Sequence, residues 1–203
     1  MSTAPAERPS RPGGVTFLLE LPALLLAALV VAIVIKTFIV QPFYIPSESM
    51  VHTLEVNDRV MVSKLSYRFG DIERGDVVVF ETGPALEQSG PERVVEAVLD
   101  ALGIRSSGQE DLIKRVIALG GDTVEISDNQ VLVNGEPVVE PYLNEGVEMS
   151  GMAERRIDEG WLWVMGDNRN ESSDSRVFGA VEAESVVGRA VLRIWPVDRL
   201  GQL

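Results

Sequence analysis

The sequence has no cysteine and a single histidine, His52, among its 203 residues. The absence of cysteine excludes thiol catalysis, disulfide bonds and thiolate metal sites. One imidazole is also too few for an ordinary transition-metal site, which usually combines several imidazole or thiolate ligands. We therefore expect no bound metal, and hydroxyl, carboxylate and amine groups have to supply the chemistry.

Lysine is almost as scarce, with three residues against fifteen arginines. Arginine keeps its proton in proteins, whereas a buried lysine can lose its proton near neutral pH and act as a base. This difference matters for Ser49, which follows a long apolar segment and needs a base before its hydroxyl can attack. The candidate bases are Lys36, Lys64 and Lys114, with His52, three residues after Ser49, as a further alternative.

The formal net charge is −13, and the acidic excess lies beyond residue 40, because residues 1–40 carry three basic and two acidic side chains. Nucleic-acid binding rewards clustered Lys and Arg through the release of counterions. An acidic domain therefore argues against a nucleic-acid partner.

The first 40 residues predict a tail and a membrane anchor. Residues 1–14 are rich in Pro, Gly, Ser and Arg and predict a disordered cytoplasmic tail. Residues 15–40 predict a transmembrane helix, because residues 21–35 carry no charge and about 20 helical residues cross a bilayer core. A cleaved signal peptide is the alternative, but the apolar run is longer than usual and no cleavage site follows it.

Basic residues before the apolar run favour a cytoplasmic N-terminus and an extracytoplasmic domain over residues 41–203. That domain is predicted to be mainly β, because short runs rich in Val, Ile and aromatic residues alternate with turn residues. Residues 81–111 differ from this pattern: they are acidic and predict a variable insertion with one amphipathic helix at 92–102. The predicted strands are residues 58–63, 76–80, 123–127, 130–133, 137–139, 161–165 and 190–195.

Two further segments carry candidate chemistry. Lys114 lies among apolar residues, where an alternating strand would bury its amine, although a lysine on a strand usually faces solvent. Residues 166–176 are polar throughout and lie between two apolar runs. An exposed loop explains such a segment, but dense hydroxyls and paired charges also suit the surroundings of an active site.

Together these segments resemble the bacterial type I signal peptidases (leader peptidases), which are membrane-anchored serine proteases with a Ser–Lys dyad. The resemblance covers the anchor and nearly all of the following domain, in order. It rests on four motifs, in residues 46–54, 74–80, 114–124 and 166–176. It implies an antiparallel β catalytic domain and endoproteolytic removal of signal peptides from exported precursors, after small-x-small sites. It implies no cofactor, and its partners are precursor proteins and the lipid bilayer.

The resemblance also assigns roles to individual residues. Ser49 is the expected nucleophile and Lys114 the expected general base. Ser47 is expected to stabilise the oxyanion together with the Ser49 N–H, and Ser172 to hydrogen-bond to Lys114 and orient it. Two ion pairs are expected to brace the site, namely Asp174 with Arg176 and Asp167 with Arg115.

The sequence departs from the family at His52 and Gly120, where proline is usual. Both positions lie in loops, and glycine at position 120 would increase backbone freedom. Neither change removes a reacting group. Two other hypotheses remain: a self-cleaving Ser–Lys protease of the SOS-repressor type, which the anchor argues against, and a membrane-anchored β-domain that binds precursors without cleaving them.

Overall fold

The computed structural model describes residues 14–82 and 110–203, which form two antiparallel sheets and three α-helices. Some strands bury every second side chain, as β2 does over Arg59–Ser63, whereas β3 and β9 each bury four consecutive residues and so are covered on both faces. The helices are α1 (Gly14–Phe38), α2 (Ser66–Phe69) and α3 (Ser175–Phe178). The strands are β1 (Val40–Tyr44), β2 (Arg59–Ser63), β3 (Val77–Thr82), β4 (Glu110–Leu119), β5 (Thr123–Ser127), β6 (Gln130–Val133), β7 (Glu136–Pro137), β8 (Met152–Arg156), β9 (Trp161–Met165), β10 (Val181–Glu182), β11 (Val186–Trp195) and β12 (Gly201–Gln202).

The larger sheet has the strand order β1-β2-β11-β3-β4-β9-β10, and β12 pairs with β11 at one end. Every neighbouring pair runs antiparallel. Strand β4 therefore lies between β3 and β9 in the interior of the sheet, where Lys114 pairs with Val78. The interior position satisfies the backbone of β4 on both edges, whereas side chains stand perpendicular to the sheet and are buried only where other segments cover its face.

The smaller sheet has the order β7-β6-β5-β8. Its β5–β6 hairpin turns at Asp128 and Asn129, which both have positive φ angles of 49° and 62°. Two such residues form the turn whose twist matches that of the flanking strands, and Asp and Asn tolerate it better than most residues. The hairpin predicted from the sequence is confirmed, with both strands at their predicted bounds.

The hydrophobic core is divided among three clusters. One cluster joins the segment after β1 to the larger sheet and includes Ile45, Met50, Leu54, Val60 and Ile113. A second lies between the two sheets around Trp163. The mainly antiparallel β architecture agrees with the predicted fold class.

Helix α1 extends over 25 residues, and the apolar side chains of its central part are exposed. Within the described residues, no helix combines the length and the apolar character needed to cross a membrane. The structure thus does not show the transmembrane helix predicted over residues 15–40. The predicted tail (1–14) and the predicted insertion (81–111), with its helix at 92–102, lie almost entirely outside the described residues.

Candidate active site

Strand β4 fixes the position of Lys114. The side chain is only 3% exposed, and it stands out from the sheet toward the serine segment, where its Nζ meets the Ser49 Oγ. Burial lowers the pKa of the Lys114 amine from 10.5 to about 8, and the nearby carboxylates of Asp174 and Asp167 partly oppose this shift. Desolvation disfavours the charged ammonium, which is why burial acts in this direction.

The segment between β1 and β2 carries Ser49. Its ends are held together by hydrogen bonds from the Ile45 N–H to the Asp58 carbonyl and from the Asn57 N–H to the Ile45 carbonyl. Met50 and Leu54, on either side of a tight turn, are fully buried in the core. These two apolar anchors hold the segment against the sheet, so that Ser49 is itself buried.

The two sequence segments meet at a hydrogen bond. The Lys114 Nζ donates to the Ser49 Oγ over 2.7 Å, although the residues are 65 positions apart. The Ser47 Oγ lies 3.4 Å from the Ser49 Oγ. The structure therefore brings together the serine and the one lysine that the sequence placed on a strand of apolar residues.

Residues 166–176 form the third wall of the site. The carboxylate of Asp174 is fully buried and accepts hydrogen bonds from the Gly166 N–H, over 2.9 Å, and from Arg176, over 2.8 Å. Burial raises the pKa of Asp174, but the hydrogen bonds from Arg176 and Gly166 outweigh it and hold this pKa below its ordinary value. Asp174 also caps α3 by accepting from the Arg176 N–H.

A second ion pair joins β4 to the same loop. The Arg115 guanidinium donates to both oxygens of Asp167, over 2.8 and 2.6 Å, in the bidentate geometry that suits arginine. The Thr53 hydroxyl donates to Asp167 as well, which links the serine segment to this pair. Because the Asp167 side chain is fully buried, removing one partner would leave an uncompensated charge.

Ser172 does not make the hydrogen bond predicted from the resemblance. Its Oγ is buried and meets no partner in good hydrogen-bond geometry, so the bond to Lys114 is absent; the hydroxyl lies near Asp174 instead and helps to lower the pKa of that carboxyl. The Ser172 side chain packs against Gly166, where a Cβ atom would collide with the Ser172 Oγ and lie 2.5 Å from the Ser49 carbonyl oxygen. Only glycine at position 166 permits this close approach.

The alternative base His52 points elsewhere. Its Nε2 is paired with the Asn144 side-chain amide, and the residue has a positive φ of 86°. Gly120 lies against backbone atoms of residues 158–160, where a Cβ would come within 2.9 Å of the Asp158 carbonyl. Steric exclusion by this close packing is therefore a reason for glycine at position 120.

The sequence did not reveal a buried charge network behind the loop. The Arg169 guanidinium pairs with Glu140 over 2.5 Å, and both side chains are buried. The Tyr142 hydroxyl donates to the same carboxylate over 2.8 Å, and its ring lies under the Arg115 guanidinium at 4.0 Å. Tyr142 and Glu140 are two residues apart, but Arg169 and Arg115 come from segments tens of residues away, so no local pattern could indicate the network.

A serine hydroxyl beside a buried, easily deprotonated lysine is chemically suited to nucleophilic attack on a carbonyl group. The site thus has the features of a serine hydrolase in which an amine replaces the usual imidazole. Within residues 14–82 and 110–203, no cluster of His, Asp or Glu is arranged to hold a metal ion.

Comparison with known proteins gives the family. Residues 18–195 match the family described as signal peptidase, peptidase S26. A signal peptidase I from Leptolyngbya laminosa is 43% identical, over 87% of this chain and 79% of that protein. A probable signal peptidase I-1 from Synechocystis is 39% identical, over 92% of this chain and 87% of the relative. A signal peptidase I from Mycobacterium tuberculosis is 38% identical, over 94% and 77%.

A solved structure of a signal peptidase I from Enterococcus faecalis aligns with 59% of this chain and 96% of that chain, at 25% identity. Its TM-score of 0.41 is too low to support an argument about the fold. The sequence relationships alone are sufficient: the chain belongs to the signal peptidase family, peptidase S26. Its function is that of a signal peptidase I.

Proposed function

We propose that the chain removes N-terminal signal peptides from exported precursor proteins, with Ser49 as nucleophile and Lys114 as general base. The observation that carries this proposal is the 2.7 Å hydrogen bond between the two side chains in a buried site. The lowered pKa of Lys114, about 8, supports it further, because an appreciable fraction of the amine is then neutral near physiological pH.

The reaction is acyl transfer. Neutral Lys114 accepts the proton of the Ser49 hydroxyl as the Oγ attacks the scissile carbonyl carbon. The Ser47 hydroxyl and the Ser49 N–H stabilise the resulting oxyanion. Lys114 then gives its proton to the leaving amine as the C–N bond breaks, and afterwards takes a proton from the water that hydrolyses the acyl-enzyme.

The two ion pairs and Ser172 have supporting roles in this proposal. Asp167 with Arg115 fixes the loop against β4, and Asp174 with Arg176 braces the loop internally. Ser172 keeps the loop close to the nucleophile by packing on Gly166. The two carboxylates also limit how far the pKa of Lys114 falls.

The direct test is cleavage of a precursor that carries a small-x-small site, by wild type and by the variants Ser49→Ala and Lys114→Met. Both variants should lose activity at least 1,000-fold, because each removes one half of the activation machinery. Lys64→Met serves as the matched control and should retain activity. Cleavage by Lys114→Met at a rate near that of wild type would show that another group is the base.

We further propose that α1 anchors the peptidase domain to a bilayer, with the N-terminus cytoplasmic and the domain extracytoplasmic. This proposal is supported by the apolar residues between Leu21 and Ile35, many of which are about half exposed along the helix within the part of the chain that the structure describes. Tethering the enzyme and a membrane-inserted precursor to one surface would raise their effective concentration.

The anchor is tested by flotation of the full chain with lipid vesicles. Leu25→Arg with Leu29→Arg should release the protein from the vesicles, since a charge at the centre of an apolar helix costs about 3 kcal/mol per residue on insertion scales. Val139→Arg is the control, because Val139 is 86% exposed on the β-domain. Equal flotation of all three proteins would contradict the proposed anchor.

A further inference from the structure

Asn168 makes two hydrogen bonds to the backbone around Ser49, and no role follows for it from the sequence motifs. Its side-chain Nδ2 donates to the Glu48 carbonyl over 3.0 Å. Its backbone N–H donates to the Ser49 carbonyl over 3.1 Å. One residue of the polar loop therefore holds both peptide groups that flank the Ser49 Cα.

The Glu48 carbonyl has a particular significance, because it belongs to the same peptide unit as the Ser49 N–H. A trans peptide is planar, and its C=O and N–H point in opposite directions. A donor that fixes the direction of the Glu48 C=O therefore also fixes the direction of the Ser49 N–H. A hydrogen bond to the carbonyl also polarises the unit and makes its N–H a stronger donor.

The second hydrogen bond, from the Asn168 N–H to the Ser49 carbonyl, restricts the peptide plane that follows the Ser49 Cα. With the Glu48 and Ser49 carbonyls both held, the peptide planes before and after the Ser49 Cα are fixed relative to the 166–170 loop. The close contact of Gly166 with the Ser49 carbonyl leaves little room for the segment to shift. The nucleophile and the adjacent N–H are consequently oriented from outside their own segment.

We propose that Asn168 is a positioning residue for the oxyanion site, and that its side-chain amide aims the Ser49 N–H by holding the Glu48 carbonyl. This inference rests on the proposed function, in which the Ser49 N–H stabilises the oxyanion. The hydrogen bonds of Asn168 reach the Glu48 and Ser49 carbonyls, and not the Ser49 Oγ or the Lys114 Nζ. Its side chain acts only through the Glu48–Ser49 peptide.

The loop offers a matched control two residues away. Asn170 is exposed, and its side chain contacts the neighbouring loop instead, by accepting from the Glu148 N–H and donating to the Gly146 carbonyl. Asn168→Ala and Asn170→Ala remove the same group from the same loop. Only the first substitution removes a hydrogen bond to the serine segment.

The kinetic test compares kcat and KM for the full chain acting on a precursor with a small-x-small site. Asn168→Ala should lower kcat about 10- to 100-fold with KM changed less than about threefold, since removing an oxyanion donor outright costs about 100- to 1,000-fold. Asn170→Ala should keep both values near wild type. The loss of kcat in Asn168→Ala should persist at pH values well above the pKa of Lys114, because the Asn168 side chain does not act through Lys114.

A second readout does not depend on activity. Labelling Glu at the carbonyl carbon with 13C and Ser with 15N marks only the Glu-Ser peptides, which number three in this sequence: Glu48-Ser49, Glu171-Ser172 and Glu184-Ser185. The Glu48 carbonyl resonance, identified by its loss in Ser49→Ala, should move upfield in Asn168→Ala and stay in place in Asn170→Ala. Thermal unfolding checks that both variants are folded, and the isosteric Asn168→Asp replaces Asn168→Ala if the latter does not fold.

The two readouts separate this inference from the proposed function. If wild type never cleaves the precursor, the proposed function fails, and the carbonyl shift still reports whether Asn168 holds the peptide. If wild type cleaves and Asn168→Ala keeps kcat within threefold, the positioning role is refuted. An unchanged Glu48 carbonyl resonance in Asn168→Ala also refutes it.

Discussion

Replacing Lys114 with methionine should make the protein more stable near neutral pH while it abolishes activity. The reason is that the folded state holds an ammonium in a site that disfavours its charge. The pKa of Lys114 is about 8 in the folded state, against 10.5 for an ordinary lysine. A difference of roughly 2.5 units corresponds to about 3 kcal/mol, since each unit is worth 1.36 kcal/mol.

The pH dependence follows from linkage. Below about pH 8 both the folded and the unfolded states are protonated, so the whole penalty of about 3 kcal/mol is present. Between about pH 8 and 10.5 the folded state has released its proton and the unfolded state has not, so the stability of wild type rises. Above that window the penalty is gone.

The substitution also removes the hydrogen bond to Ser49, which is worth about 1 kcal/mol. Lys114→Met should therefore gain about 2 kcal/mol at neutral pH and lose about 1 kcal/mol above pH 10.5 relative to wild type. Urea unfolding at several pH values, followed through tryptophan fluorescence, to which the buried Trp163 contributes, measures the difference. Ser49→Ala is the control, because it removes the same hydrogen bond and keeps the ammonium.

Two results would refute this reasoning. If wild type and Lys114→Met show the same change in stability between pH 8 and 10.5, Lys114 does not titrate in that range. If Lys114→Met is less stable than wild type at neutral pH by several kcal/mol, the ammonium is stabilised in the folded state and its pKa is not lowered.

Three further predictions follow from the site. The kcat/KM of wild type should rise with pH through about 8 and then level off, whereas titration of an ordinary lysine would place the rise near 10.5. Initial rates measured between about pH 6 and 11 distinguish the two profiles. Gly166→Ala should lower activity more than tenfold and destabilise the fold by about 1–3 kcal/mol, because the new Cβ would lie 2.5 Å from the Ser49 carbonyl. Gly151→Ala, whose Cβ would lie 3.5 Å from its nearest neighbour, is the control in the cleavage assay and in urea unfolding. Glu140→Gln should cost about 3–5 kcal/mol in urea unfolding by leaving the Arg169 charge buried without a partner, and the same change at the exposed Glu148 should cost little.

The sequence predicted those features that depend on short stretches of chain. Strands β5, β6 and β9 lie at their predicted bounds, because alternation in β5 and β6, an apolar aromatic run in β9 and the turn residues between strands all act locally. Strand β1 was not predicted, since its five residues include a proline and follow directly on an apolar helix. Strand β8 was missed as well, because Met152–Arg156 is mostly charged and exposed and carries no apolar alternation.

In the candidate site, too, the sequence predicted some features and missed others. Composition alone reduced the possible bases for Ser49 to three lysines and one histidine. The hydrogen bond expected between Ser172 and Lys114 is absent, because the loop packs the Ser172 side chain against Gly166. A displacement of an ångström or two decides such a contact, and no sequence motif specifies distances of that size.

The sequence by itself determined the chemistry available to this protein: a serine, few possible bases, no thiol and an acidic β-rich domain behind an apolar helix. Only the tertiary structure decided which base meets the serine. Lys114 is able to lose its proton because its side chain is buried against the serine segment, and it reaches Ser49 because Met50 and Leu54 anchor that segment in the core. Burial and distance arise from packing between residues far apart in the chain, and both the pKa and the hydrogen bond depend on them.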